Sequence, residues 1–272
     1  MTTRCGVAGS PIAHSLSPVL HRAAYAHLGL DWEYERHEVP QDGLGAFLDG
    51  LDGTWRGLSL TMPLKHQAVR LATDVSPLAR RVGAANTLLL GRGRRYAENT
   101  DVPGLVEALR ERGVEKADSA TVVGGGATAA SAVAALAGIA GRVEVVVRNP
   151  DRAGEVLGVA DAVGVECRIV PWSDAVDALA APLVVATTPK GAADALSASV
   201  PAAPGVLFDV LYDPWPTPLA EAWGAAGGTV LGGLDLLVHQ AVLQVELMTG
   251  AAVPVGVLRR ALAEPGGVGP AA

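Results

Sequence analysis

Two groups of residues in this 272-residue chain have the types and spacing of chemistry. The first is small and polar: Ser15-Leu16-Ser17-Pro18, Thr61-Met62-Pro63-Leu64-Lys65, Asn86-Thr87 and Asn99-Thr100-Asp101. Hydroxyls, amides, one ammonium and one carboxylate are what a polar small molecule needs, because a buried hydroxyl left unmatched costs more than a good hydrogen bond returns. The second group comes later in the chain, the turn Gly124-Gly125-Gly126-Ala127-Thr128-Ala129. Glycines there permit a tight turn and close backbone approach, and the amides of a following helix would face a dinucleotide pyrophosphate. A substrate group and a nucleotide group on separate segments suggest a cofactor-dependent oxidoreductase.

The elements that must position these groups fall into two rhythms. Over the first hundred residues, strand-like runs at 4–9, 32–39 and 56–60 and a hairpin at 88–96 around Gly91-Arg92-Gly93 mix with helical spacing of Leu20, Ala24 and Leu28. Ser17 reads as the cap of that helix, with Pro18 in its first turn and Gly29 as its stop. From Ser119 the pattern is a regular strand, turn and helix series: a strand at 120–123, a helix at 128–139, a strand at 143–147, then a helix beginning near Asp151. Apolar runs at 183–186 and 206–210 fit strands buried on both faces of a parallel sheet. The expected fold class is α/β with two domains: a mixed α/β substrate-binding domain at 1–103 and a Rossmann-like doubly wound domain at 104–235. Helices within 236–264, one running 234–248 and one opened by Pro254, are expected to return to the first domain, leaving 265–272 as a frayed tail.

Composition narrows the partners. The chain carries a net charge of -7 and no lysine or arginine cluster, which argues against a nucleic-acid face. No apolar signal segment opens it and no long uncharged apolar run interrupts it, so a cytoplasmic location without a membrane span is expected. Cys5 and Cys167 lack metal-ligand spacing and read as buried free thiols, with no metal site.

The nucleotide group also carries a specificity signal. Where NAD-preferring sites place an acid at the end of the second strand, this chain reads Val147-Arg148-Asn149-Pro150-Asp151-Arg152. Guanidinium groups match a 2′-phosphate in charge and fork geometry, which favours NADP over NAD. The competing reading makes both arginines solvated surface charges, with Asp151 capping the next helix.

Taken together, Gly9-Ser10-Pro11-Ile12-Ala13-His14-Ser15-Leu16-Ser17-Pro18, Leu60-Thr61-Met62-Pro63-Leu64-Lys65, Gly83-Ala84-Ala85-Asn86-Thr87, Asn99-Thr100-Asp101-Val102-Pro103-Gly104 and the stretch 233–240 resemble the shikimate dehydrogenases, in that family's order and over nearly the whole chain. The resemblance implies reduction of 3-dehydroshikimate to shikimate with NADPH by two α/β domains that close over a cleft, in a monomer or homodimer. It implies that Ser15 and Ser17, with Tyr212 nearby, bind the substrate carboxylate. Thr61, Asn86, Asp101 and Gln240 would bind the ring hydroxyls, and Lys65 with Asp101 would form the catalytic pair. Lys65 would either pass a proton to the ketone oxygen or stabilise charge there and position substrate. Cofactor contacts would come from Gly124, Gly125, Gly126, Ala127, Thr128, Arg148, Asn149, Arg152 and Gly233.

Each residue has a plainer reading outside the family. Ser15 would be a loop hydroxyl, Ser17 a helix cap, Tyr212 a strand-end aromatic, Gln240 a helix-surface amide, Lys65 a solvated helix charge, and Asp101 the cap of a helix over 102–112. Asn86 and Thr61 would stabilise turns. His14 and His21 titrate near neutrality yet are not the catalytic choice. The chain departs from the family at Arg22, where asparagine is common, at Ala130, where a basic residue is frequent, and at Asp235, where small or apolar residues are usual. A quinate/shikimate or aminoshikimate dehydrogenase variant is the nearest alternative, and a non-catalytic NADP-binding sensor a more distant one.

Overall fold

The computed structural model describes residues 2–263 and divides into two compact units, one made of the residues up to Thr100 and those from Leu237 onward, the other of Asp101–Leu236. The tail expected at 265–272 lies outside the described residues.

In the first unit the order is β1 (Thr3–Gly9), α1 (Ser17–His27), β2 (Trp32–Glu38), α2 (Leu44–Asp49), β3 (Trp55–Leu60), α3 (Lys65–Leu71), β4 (Asp74–Val75), α4 (Pro77–Val82), β5 (Thr87–Gly91) and β6 (Arg94–Glu98). These strands form one sheet in the order β2-β1-β3-β5-β6-β4. β1 runs parallel to β2 and β3, whereas β5 is antiparallel to β3 and β6, so the sheet is mixed. One face packs Leu44, Leu58, Leu64 and Leu88, all fully buried, and the other packs Cys5, Tyr25 and Tyr34.

The second unit continues with α5 (Asp101–Glu111), β7 (Ala120–Val123), α6 (Ala127–Leu136), β8 (Arg142–Val147), α7 (Gly154–Val163), β9 (Glu166–Pro171), α8 (Ala175–Ala178), β10 (Leu183–Ala186), β11 (Val206–Asp209), α9 (Pro218–Ala225) and β12 (Thr229–Leu231). Its six strands lie in the order β12-β11-β10-β7-β8-β9, every pairing parallel. That is the doubly wound order, with β7 and β10 at the point where the winding reverses. Every residue of those two central strands is buried, as helices on both faces demand, and the one polar member, Thr121, donates its hydroxyl to the Ala178 carbonyl at 2.7 Å. α10 (Gly233–Thr249) and α11 (Val255–Ala263) complete the chain, and α11 packs against α1.

Several local expectations need correction. Ser17 does not cap α1: Leu16 occupies the cap position in a helical conformation with no side-chain cap, and Ser17 already lies in the first turn. At the other end Gly29, at φ 67°, stops the helix as expected, with its N–H bonded to Ala26 and that of Leu30 to Tyr25. Asp151 does not cap α7. Asn149 instead accepts the Asp151 N–H at 3.1 Å and caps a short 3-10 turn at Pro150–Arg152, after which α7 starts at Gly154. Asp101 is the first residue of α5 rather than a cap before it. Cys5 is buried, but Cys167 is only half-buried on β9, which lies at the sheet edge.

Each of the three family departures has a local explanation. Arg22 donates from Nε to the Tyr34 carbonyl at 3.0 Å, fastening α1 to β2. Asp235 accepts the Gly232 N–H at 3.4 Å across the first turn of α10, half of a capping box, and lies 3.8 Å from the Arg112 guanidinium. Ala130 is fully buried on α6, where a basic side chain would lose its hydration.

Close packing supplies two tests of this architecture. A Cβ on Gly233 would run into the Val210 carbonyl oxygen and lie 2.6 Å and 2.7 Å from the carbonyl carbons of Val210 and Leu211. Gly233→Ala should therefore lower unfolding free energy in urea by about 1–3 kcal/mol, the usual cost of overpacking. The second test concerns His21, fully buried and stacked on Tyr34 with ring centroids 4.1 Å apart. Burial pushes its pKa down from 6.5 to about 3, opposed by the hydrogen bond to Gln244. The unfolded chain takes up this proton near pH 6.5 and the folded chain near pH 3, so stability should fall as pH drops through that window. The contribution is on the order of 4 kcal/mol at the acid end, and His21→Gln should flatten that part of the pH profile of unfolding free energy.

Candidate active site

On the first unit, the polar residues gather where β1 and β3 end. Thr61 follows β3, and its N–H donates to the Ala8 carbonyl at 3.0 Å, while the Ser10 N–H donates to the Met62 carbonyl at 2.9 Å. Lys65 opens α3 and is half-buried, with its carbonyl accepting the Ala85 N–H at 2.9 Å. That bond sets Asn86 at the entry to β5, where its own carbonyl accepts the Leu60 N–H at 2.7 Å. Main-chain hydrogen bonds thus bring Thr61, Lys65 and Asn86 to one edge, outside the carboxyl ends of parallel strands, where ligands bind open α/β sheets.

The loop with Ser15 and Ser17 is held from its backbone. Arg36 on β2 grips the Ser15 carbonyl through Nε at 2.8 Å and Nη2 at 2.5 Å, and Glu38 accepts the Ile12 N–H at 3.0 Å. Ser15 Oγ accepts the Ser17 N–H at 3.4 Å, and both serines are buried. Neither Arg36 nor Glu38 stands out in the sequence, because β2 reads only as a strand with scattered charges.

Asn86 is 2% exposed and hydrogen-bonded through both of its amide atoms. Its Oδ1 accepts the Thr100 N–H at 2.8 Å and the Thr87 hydroxyl at 3.0 Å, and its Nδ2 donates to Thr100 Oγ1 at 2.9 Å and to Gln240 Oε1 at 3.3 Å. Gln240 is therefore no surface amide. It is buried on α10, with Nε2 donating to the Leu237 carbonyl at 2.7 Å. Asn86 and Gln240, remote in sequence, meet directly.

Asp101 and Tyr212 belong to the second unit. Asp101 is buried in the first turn of α5. Tyr212 is half-buried in the loop after β11, and Asp209 organises that loop by accepting the Leu211 N–H at 3.1 Å and the Thr217 hydroxyl at 2.7 Å. Burial raises the Asp209 pKa, and these two hydrogen bonds oppose the rise. No sequence signal marks Asp209, an acid at the end of an apolar strand whose partners lie beyond it.

The nucleotide turn sits between β7 and α6, at the reversal of strand order. Gly124 has φ 128°, and a Cβ there would strike Thr187 Oγ1, which donates to the Val123 carbonyl at 3.1 Å. At Gly125 a Cβ would lie 3.0 Å from Val147, whereas Gly126 faces open space. Gly126 is the cap residue of α6, without a side-chain cap and without an acid in the first turn, which holds Ala127 and Thr128. Uncapped amides at a helix N-terminus beside an open glycine fit a dinucleotide pyrophosphate. Arg148 is exposed just after β8, next to Asn149, and Arg152 closes the 3-10 turn, its side chain outside the described set. Gly233 opens α10 with its N–H bonded to the Leu211 carbonyl at 3.0 Å.

Among the described residues no helix is long and apolar enough to cross a membrane, and no cluster of three or more His, Cys, Asp or Glu could hold a metal ion.

Comparison with known proteins agrees with this geometry. Residues 7–88 match the family model described as the shikimate dehydrogenase substrate binding domain, and residues 233–263 match the shikimate 5′-dehydrogenase C-terminal domain. The shikimate dehydrogenase (NADP(+)) of Thermus thermophilus is 38% identical over 252 residues, covering 91% of this chain and 92% of that protein. The crystal structure of Mycobacterium tuberculosis shikimate dehydrogenase superposes with a TM-score of 0.87 at 43% identity, covering 96% of this chain and 98% of the other. A Thermus thermophilus structure in complex with NADP(H) and shikimate gives 0.83 at 35% identity, with the same coverage of both chains. With the substrate-side motifs, the doubly wound nucleotide unit and this similarity along almost its full length, the chain belongs to the shikimate dehydrogenase family.

Proposed function

We infer that this chain is an NADP-dependent shikimate dehydrogenase that reversibly reduces 3-dehydroshikimate to shikimate, a step toward chorismate and the aromatic amino acids. The observation that carries the reading is the gathering of Thr61, Lys65, Asn86 and Gln240 on the first unit of a chain that also has an uncapped glycine-turn helix on its second.

When bound, NADPH supplies the hydride. The protein must then hold the ring, exclude misoriented substrate and bring a proton to the ketone oxygen as negative charge develops there. We propose that Ser15 and Ser17 anchor the carboxylate, with Tyr212 closing on it. Asn86, Thr61, Gln240 and Asp101 match the ring hydroxyls, and Lys65 serves the ketone oxygen as acid with Asp101 as its partner. Support for Lys65 comes from its half-buried place in the first turn of α3, beside Thr61 and the Asn86 strand. Gly124, Gly125, Gly126, Ala127, Thr128 and Gly233 are proposed to cradle the cofactor, with Asn149, Arg148 and Arg152 on its 2′-phosphate ribose.

Two experiments test these assignments. Loss of NADPH absorbance with 3-dehydroshikimate, set against quinate with NAD, reads the reaction itself. In that assay Lys65→Ala should lower turnover by about 10²- to 10⁴-fold, the range for losing general acid–base assistance, with a much smaller change in substrate KM. Near-normal turnover would remove Lys65 from the chemistry. For the cofactor, replacing Arg148 and Arg152 together with alanine should raise the NADPH KM about tenfold or more, because charged hydrogen bonds are worth roughly 1.5–3 kcal/mol each. The NADH KM should barely move, and equal losses for both cofactors would refute the 2′-phosphate assignment.

A further inference from the structure

Beneath the substrate side of the first unit lies a buried hydrogen-bond network centred on Gln244, one helical turn beyond Gln240 on α10 and 1% exposed. Its Nε2 donates to the Asn86 carbonyl at 3.0 Å and to Thr87 Oγ1 at 3.0 Å, and its Oε1 accepts from Ser59 at 2.6 Å and pairs with His21 Nε2 at 3.3 Å. A backbone carbonyl can only accept, so the amide nitrogen must face Asn86 and the oxygen must face Ser59 and His21. Both lone-pair directions and both N–H groups are then used.

That single orientation dictates the protons around it. Facing an acceptor oxygen, Ser59 donates to Gln244 and accepts the Tyr34 hydroxyl at 2.6 Å. His21 presents Nε2–H to the same oxygen and accepts the Tyr25 hydroxyl at Nδ1, 3.4 Å away. Burial keeps this imidazole neutral at physiological pH. On the other side, Thr87 accepts from Gln244 and spends its own proton on Asn86 Oδ1, so the Asn86 nitrogen turns toward Thr100 and Gln240.

We propose that Gln244 is a positioning residue for substrate, fixing the asparagine that reads a ring hydroxyl. It acts through the Thr87 hydroxyl and through the Asn86 main chain. The ligand it serves is a polyol held through one of its ring hydroxyls. This rests on the assignment of the site to 3-dehydroshikimate.

The test is steady-state kinetics with 3-dehydroshikimate and NADPH on the full chain. Gln244→Met keeps the side-chain length and removes all four hydrogen bonds. The expected result is a rise in 3-dehydroshikimate KM of about tenfold or more, from the unpaired groups left around Asn86 and Ser59, with the NADPH KM changed less than about twofold. An unchanged substrate KM, or an equal rise in both KM values, would overturn the proposal. Should Gln244→Met fail to fold by circular dichroism, Thr87→Val, which deletes only the relay hydroxyl, carries the expectation of a selective rise in substrate KM, and an unchanged KM there overturns it. The wild-type chain separates the two levels of inference. Absence of wild-type activity on 3-dehydroshikimate refutes the functional assignment, whereas an active wild type with an indifferent Gln244→Met refutes only the positioning role.

Discussion

A side-chain amide taken out of water must find partners for two donors and two acceptor directions at once, or the fold bears the cost of each one missed. Gln244 meets that demand with groups from β3, β5 and α1, and in doing so it fastens two helices, α1 and α10, to a pair of neighbouring strands. Several polar groups on the first unit lean on this arrangement: Ser59 with Tyr34 behind it, Thr87 behind Asn86, and Gln240 one turn away on the same helix. Such a network resists small displacements, because moving one member strands its neighbours. Rigidity here is a property of satisfied polarity rather than of apolar packing alone.

The second unit solves a different problem. Its central strands are buried throughout, so function is confined to the loops at the carboxyl ends of the strands. Gly124 after β7, Thr187 after β10, Arg148 after β8 and Tyr212 after β11 all occupy such positions. Thr187 and Asp209 shape these turns from within the sheet edge, one against the glycine turn and the other beneath the Tyr212 loop.

What the sequence disclosed and what it hid divide along the range of the interaction. The glycine turn, the stop at Gly29 and the apolar strands are legible because they are governed by neighbours a few residues away, and the family motifs offer Ser15, Ser17, Thr61, Lys65, Asn86 and Gln240 as candidates. Capping is misleading at Ser17 and at Asp151. A serine before a proline and an aspartate near a helix start both look like caps, but Leu16 already holds helical angles, and Asn149 reaches the open N–H first. Gln244 is invisible for a stronger reason. Its partner His21 is 223 residues away and Ser59 is 185, and no periodicity or spacing encodes a pairing of that length.

The passage of α10 into the first unit also fixes when that unit can exist. Residues from Asp101 to Leu236 are contiguous, so every strand of the parallel sheet is on hand before most of α10 has been made. The mixed sheet has all its strands far earlier, yet Ser59, Thr87 and Asn86 lack their partners on α10 until Gln240 and Gln244 leave the ribosome. Chain order therefore reverses spatial precedence: the segment translated first is the one finished last, and its polar interior stays open to water until then.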